Sequence, residues 1–285
     1  MKQGERTGLV LEGGGMRGIY TAGVLDVFLE RGIEFDGVIG VSAGVVHGCS
    51  FLAGQKGRSI RYYKRYCRDW RFMSMRNLLL TGDMVGEKFC YHDLPERLDP
   101  FDYEAFKRCR TEFYAVCSNV VTGRAEYLRM QDMRKHVDIM RASASLPCIS
   151  KMVRINGKKY LDGACTDSIP VRAFRRMGFR RNVVILTREE GYVKQAEVSR
   201  LVRLRYWRYP RFLQALENRH LRYNEKIRYI RRLEQAGEVF VLRPSRKLTI
   251  GRMEHNPREL QRTYNLGRRD ARRHMEELMK WLETC

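Results

Sequence analysis

The eight cysteines of this 285-residue chain form no C-x-x-C pair, and several stand inside apolar runs, which argues against a zinc site or a disulfide scaffold. No proline-, glycine- or serine-rich linker divides the chain, so a single domain is expected, and the 44% hydrophobic content suffices for one sizeable core. Apolar runs of membrane-spanning length are missing, and the opening stretch MKQGERTG lacks a signal-peptide core. A cytoplasmic setting is therefore expected, with membrane contact only from outside the bilayer. Acidic residues are scarce, 33 Asp and Glu against 55 Lys and Arg, a formal net charge of +22. This imbalance is silent about fold and points to an anionic partner: phospholipid head groups, nucleic acid or phosphorylated metabolites.

What is present is an alternation of apolar strands and helices. Thr7 to Leu11 reads as a buried strand, Thr21 to Arg31 as a helix closed by Gly32, Asp36 to Val41 as a second strand, and Ser42 to Leu52 as a buried helix. Two such units in about fifty residues imply a mainly parallel sheet flanked by helices, an α/β fold. Further strands are expected at Glu112 to Ser118, Ala125 to Met130, Met152 to Leu161, Val183 to Thr187 and Val239 to Arg243, the first and last two of them inside the sheet. Asn156-Gly157 marks a two-residue hairpin that delivers Asp162 to a strand end. Asn256-Pro257 with Glu259 opens a helix expected to run to Glu283.

Two glycine-rich motifs follow the first two strands. Gly13, Gly15 and Gly18 spell G-x-G-x-x-G, a dinucleotide cradle in other proteins, but no acid stands at the end of the second strand to hold a ribose. That place is taken by Gly40-Val-Ser42-Ala-Gly44, the G-x-S-x-G of a nucleophile elbow, in which small flanking residues permit the sharp turn that lifts a hydroxyl out of the sheet edge. Alone, the motif could equally be a strand-to-helix turn with Ser42 as N-cap. If the two strands are parallel neighbours, however, both turns emerge side by side, and the amides of the first would form an oxyanion hole for the second, with Arg17 adding charge.

A serine nucleophile needs a base. His47 sits five residues after Ser42 on the same helix and reads as a packing residue, and His92, His136, His220, His255 and His274 lack any glycine or strand-end context. Asp162-Gly163-Ala164 has that context, although an ordinary Asp-Gly turn would look the same. A histidine-dependent serine hydrolase, a thioesterase or peptidase using His220, His255 or His274, stays open, as does a non-catalytic module that binds anionic surfaces or nucleic acid.

Gly13-Gly14-Gly15-Met16-Arg17-Gly18, Gly40-Val-Ser42-Ala-Gly44 and Asp162-Gly163-Ala164, in this order, resemble the three signatures of the patatin-like phospholipase family. Arg141-Ala-Ser-Ala-Ser-Leu-Pro147 resembles that family's small-residue segment before the aspartate. The resemblance covers about residues 6 to 190. It implies a lipid acyl hydrolase with Ser42 as nucleophile, Asp162 as its base, Gly13 to Gly18 as the oxyanion loop, an acyl lipid or phospholipid as substrate, and no metal or organic cofactor.

The remaining third, about residues 191 to 285, is a basic helical extension without family features. Between Gly191 and Ala236 it carries twelve Lys and Arg against four Glu, interleaved with Tyr192, Tyr206, Trp207, Tyr209, Phe212, Tyr223 and Tyr229. This is either a solvated helical face or a surface that meets anionic lipid. Arg200 to Arg211 does not separate from Leu201, Leu204 and Trp207 around a helical wheel, so surface contact is expected here and an inserted helix is not. No nucleic-acid module accompanies the basic stretch.

Overall fold

A computed structural model describes residues 6–196, 198–251 and 253–283; Cys285 lies outside them. Strand β1 (Thr7–Leu11) leads through a 3-10 turn at Gly15–Gly18 into α1 (Ile19–Glu30), and β2 (Gly37–Val41) leads into α2 (Ala43–Leu52). An excursion of α3 (Arg58–Tyr66), α4 (Met75–Thr81), a π-helical segment at Phe89–Leu98 and α5 (Tyr103–Arg108) precedes β3 (Glu112–Asn119). There follow β4 (Arg124–Arg129), α6 (Met133–Ala144), the hairpin β5 (Val153–Ile155) and β6 (Lys158–Asp162), α7 (Val171–Arg176) and β7 (Arg181–Ile185). The C-terminal third contributes α8 (Arg200–Tyr206), α9 (Pro210–Glu217), α10 (Arg219–Gln235), β8 (Val239–Leu242), α11 (Pro257–Arg273) and α12 (Met275–Glu283).

The strands form one sheet of eight in the order β5-β6-β3-β2-β1-β7-β8, with β4 paired to β3 off this path. From β3 to β8 every neighbour is parallel, whereas β4, β5 and β6 pair antiparallel. Leu9, Leu11, Val38, Val183 and Ile185 pack on one face with α1, α2, α6 and α11. Val10, Ile39, Val41 and Val184 pack on the other with α7 and α10. Burial on both faces is why these strands read as unbroken apolar runs. The mainly parallel α/β sheet and the Asn156-Gly157 hairpin match the sequence reading; the hairpin turn has φ of 48° and 76° at its two central residues, as a type I′ turn requires.

The C-terminal third is part of the same body. Helix α11 lies against α1 so closely that a Cβ on Gly23 would stand 2.2 Å from the Tyr264 carbonyl oxygen, and one on Gly267 2.1 Å from that of Tyr20. Tyr264 also donates to the buried Asp26 carboxylate at 2.7 Å.

Two sequence expectations are corrected. The C-terminal helix is broken at His274, which caps α11, and this turn lets Trp281 of α12 pack on Phe240 of β8. Strand β8 is an edge strand, with a half-buried centre, where an interior strand was expected. As the sequence suggests, Asn256 caps α11, accepting from the Arg258 amide, with Pro257 in the first turn, while the Glu259 carboxylate turns to Arg262 and Thr249.

Candidate active site

Strand β2 ends at Val41, paired with Val116 of β3, and β6 ends at Asp162, paired with Cys117. Strand β4 takes the opposite edge of β3 over the same residues, so β2 and β6 share one edge and meet end to end. This arrangement brings Ser42 and Asp162 together from positions 120 residues apart in the chain.

Ser42 sits between β2 and α2 with φ 54° and ψ −120°, a strained conformation for any residue but glycine. Its hydroxyl makes no capping bond to α2, so the turn does not use this serine as an ordinary N-cap. The close return of the chain needs Gly44, where a Cβ would lie 2.6 Å from the Leu11 carbonyl oxygen. On the other strand, a Cβ on Gly163 would stand 2.2 Å from the Val116 carbonyl oxygen. Asp162 is 1% exposed, and its Oδ1 accepts from the Ala164 amide at 2.8 Å.

A brace not foreseen in the sequence joins the two ends. Ser143, at the end of α6, accepts from the Ser42 amide at 3.0 Å and donates to the Val116 carbonyl at 2.7 Å. Two residues on, the Ser145 carbonyl accepts from the Asp162 amide at 2.7 Å. Ser118 donates to the Asp162 carbonyl at 2.7 Å. The small-residue segment Arg141–Pro147 therefore fixes the backbone of both candidate residues.

Ser42 opens on two cavities. The smaller, about 30 Å³, is lined by Ser42, Asp162, Gly13, Gly14, Gly15 and Arg17, with Glu12 and Ala164 beside them. Arg188, Lys194, Arg219 and Tyr223 also line it. The larger, about 270 Å³, begins at Gly15, Met16 and Ser42 and is walled by apolar side chains including Val46, Tyr63, Phe72, Met84, Leu94 and Met140. Gly18 lines neither; it lies under α2, against Ala43 and His47. Gly40 spaces β2 from the first turn of α2.

The histidines divide clearly. His47 is buried, its Nδ1 2.9 Å from the Ser59 hydroxyl, and burial pulls its pKa down to about 3, so the ring is neutral. Among the described residues, His92 is the one histidine that lines a cavity with Ser42, at the larger cavity; His220, His255 and His274 line neither.

A family model described as patatin-like phospholipase matches residues 9–175, which contain Ser42, Asp162 and both glycine turns. The chain belongs to the patatin-like phospholipase family. A second model, described as a domain of unknown function (DUF6363), matches residues 209–283. The uncharacterized protein YjjU of Escherichia coli K12 is 30% identical over 187 residues, covering 64% of this chain and 52% of that protein. The lysophospholipase NTE1 of Cryptococcus neoformans is 29% identical over 192 residues, covering 64% of this chain and 11% of its own, and that of Eremothecium gossypii is 29% identical over 185, covering 61% and 11%. The chain thus spans about half the length of the first of these relatives and about a tenth of the fungal ones. VipD from Legionella pneumophila aligns over 99% of this chain and 67% of its own at 13% identity, with a TM-score of 0.47.

The patatin-like segment does not build the small cavity alone. Glu12, at the end of β1, is 3% exposed; its carboxylate accepts from the Thr187 amide at 2.5 Å and from the Tyr223 hydroxyl at 2.8 Å. Burial raises its pKa, an effect these two donors partly offset. Thr187 and Tyr223, like Arg188, Lys194 and Arg219, lie beyond residue 175. Asn224 on α10 accepts from the Lys194 amide at 2.8 Å and donates to its carbonyl at 2.9 Å, which pins that segment against the cavity. No signal in the sequence linked Glu12 to Tyr223, 211 positions away.

Proposed function

We propose that this protein is a serine lipid acyl hydrolase, of the phospholipase A or lysophospholipase kind, with Ser42 as nucleophile and Asp162 as general base. The observation that carries the reading is that Ser42 and Asp162 line one small polar cavity while Ser42 also opens on an apolar one of about 270 Å³. An acyl chain fits the apolar cavity and the head group the basic side. Family membership and the named lysophospholipases among the relatives support the lipid substrate.

In this mechanism the Ser42 hydroxyl attacks the ester carbonyl and its proton passes to the Asp162 carboxylate. The amides of Gly13 to Gly15, together with the N-terminus of α2, stabilise the oxyanion. Asp162 returns the proton to the departing alcohol, leaving an acyl-serine. A water, for which the small cavity has room, then loses its proton to Asp162 and attacks the acyl carbon, and that proton goes back to Ser42 as the acid leaves. The net charge of +22 draws the protein to an anionic membrane surface, where such substrates reside.

The test is labelling with a serine-reactive fluorophosphonate. Wild type is expected to react, and Ser42→Ala to remain unlabelled and to lose at least about a thousandfold in turnover of a lysophospholipid. A folded wild type that neither reacts nor hydrolyses any acyl ester would leave only the binding-module reading.

A further inference from the structure

Large apolar side chains are exposed in unusual density on two short helices that flank one loop. Helix α4 presents Leu79 at 83% exposure and Leu80 at 67%; α8 and the residue after it present Leu201 at 74%, Leu204 at 72% and Trp207 at 64%. Exposed leucines at this density normally mark a binding surface. Both helices are firmly held from behind. Asn77 of α4 is buried and donates to the Trp70 carbonyl at 2.8 Å, and Ser74 caps the helix by accepting from the Asn77 amide at 3.0 Å. Tyr206 of α8 is 1% exposed and packs with Phe212 and Leu216. The outward leucines are therefore the free faces of fixed helices.

The two helices meet at the loop after α6. The Met84 amide, just past α4, donates to the Ile149 carbonyl at 2.8 Å, and the Lys151 amide to Asp83 at 2.7 Å. From the other side, Tyr206 accepts from the Cys148 amide at 3.0 Å. Leu146, Ile149 and Ser150 of this same loop line the apolar cavity that starts at Ser42. The apolar tips thus stand on either side of a wall of the candidate acyl site.

We propose that α4 and α8 form a paired docking face that seats on the surface of an anionic lipid bilayer, with the apolar cavity beside the contact. Charge selects this occupant. Neither helix holds an acid, and exposed Arg76, Arg200, Arg205 and Arg208 lie on or next to them in the chain, with exposed Lys151 on the loop between them. Apolar side chains flanked by cations match the boundary between head groups and acyl chains. Among the described residues no helix is long and apolar enough to cross a membrane, so the contact is peripheral. A nucleic-acid surface would use the cations and leave the leucines without a role. The proposal rests on the lipid-hydrolase reading only for the purpose of docking; the contact itself is independent of chemistry.

The experiment is co-sedimentation with vesicles of phosphatidylglycerol in phosphatidylcholine, with tryptophan emission as a second readout, since Trp70 and Trp207 adjoin the two helices. Wild type is expected to bind, to blue-shift, and to bind pure phosphatidylcholine at least about tenfold more weakly. Leu79→Glu/Leu80→Glu and Leu201→Glu/Leu204→Glu should each lower vesicle affinity by at least about tenfold while hydrolysis of a short soluble ester, which also reports folding, stays near wild type. Met279→Glu on α12, whose Trp281 packs on Phe240 of β8 at the far edge of the sheet, should bind like wild type. Wild type that ignores anionic vesicles, helix variants that bind like wild type, or helix variants that lose RNA affinity in place of vesicle affinity would each overturn the proposal. Vesicle binding that needs the leucines in a protein inert to fluorophosphonate would uphold the docking face and remove the hydrolase reading.

Discussion

Val41 and Asp162 pair with consecutive residues of β3, Val116 and Cys117, on the same edge, so the strands bearing the candidate nucleophile and base run head-on into each other. A parallel strand and an antiparallel one arriving from opposite directions share a single edge, and the gap between their ends becomes the site. The geometry rests on backbone pairing braced by the Ser143 and Ser118 hydroxyls, which would suit the proposed two-residue catalytic set, in which no third residue orients the base.

If Asp162 is the base, Asp162→Asn keeps the shape and removes the chemistry. Turnover of a soluble ester should then fall about as far as in Ser42→Ala, by a thousandfold or so. His92→Ala, His220→Ala, His255→Ala and His274→Ala should each stay within about threefold of wild type. Steady-state kinetics on these variants decides it: one indispensable histidine in a folded protein would replace the dyad with a histidine-dependent mechanism, and His92, the histidine that shares a cavity with Ser42, would be its candidate.

Ser143 acts through Ser42 and touches no substrate in the proposed mechanism. Ser143→Ala removes both its bonds and leaves the Ser42 amide and the Val116 carbonyl short of a buried partner, at a cost of about 1–3 kcal/mol in stability. Because the strained Ser42 turn then relaxes, kcat should fall by about tenfold with KM nearly unchanged. A purely structural role would lower the unfolding midpoint and leave kcat of the folded enzyme alone.

What the sequence disclosed and what it concealed divide along physical lines. Gly44 and Gly163 are visible because backbone crowding forbids any side chain there, and such prohibitions are local and leave a motif. Ser42 and Asp162 are visible through those glycines. Ser143 and Tyr223 are hidden, because a serine at a helix end and a tyrosine in a basic helix look ordinary, and their partners lie 101 and 211 positions away. The helical wheel of Arg200 to Arg211 failed to separate because Val202 and Tyr206 face the protein while Leu201 and Leu204 face outward, leaving apolar residues on both sides. The break at His274 and the edge position of β8 likewise follow from tertiary packing.

Tyr223 ties the C-terminal third to the glycine turn through Glu12. Tyr223→Phe deletes a bond that lowers the Glu12 pKa, so that pKa should rise further above the carboxylate range. A carboxyl whose folded pKa is raised contributes stability below its unfolded pKa, and loses it as pH climbs through the folded value. The variant should therefore lose about 1 kcal/mol near neutral pH and less at pH 4. Urea titrations at the two pH values measure this. Fluorophosphonate labelling should slow several-fold as the Gly13–Gly15 turn loosens; unchanged labelling would detach the C-terminal third from the site.

The burial of a neutral His47 makes the fold sensitive to acid. Burial holds its pKa near 3, against about 6.5 in an unfolded chain. The folded ring stays neutral while the unfolded one takes up a proton, so its contribution is complete above pH 6.5 and drains away as pH falls towards 3. The slope approaches about 1.4 kcal/mol per pH unit, so between pH 6.5 and 5 the wild type should lose about 2 kcal/mol that His47→Gln does not lose. Urea unfolding of both proteins at the two pH values gives the difference directly, and it cancels the titration of every other group. Since His47 lines neither cavity, His47→Gln should keep most of its esterase rate when folded. Parallel stability profiles for the two proteins would mean that the ring charges inside the fold, and the neutral, purely packing role of His47 would have to be abandoned.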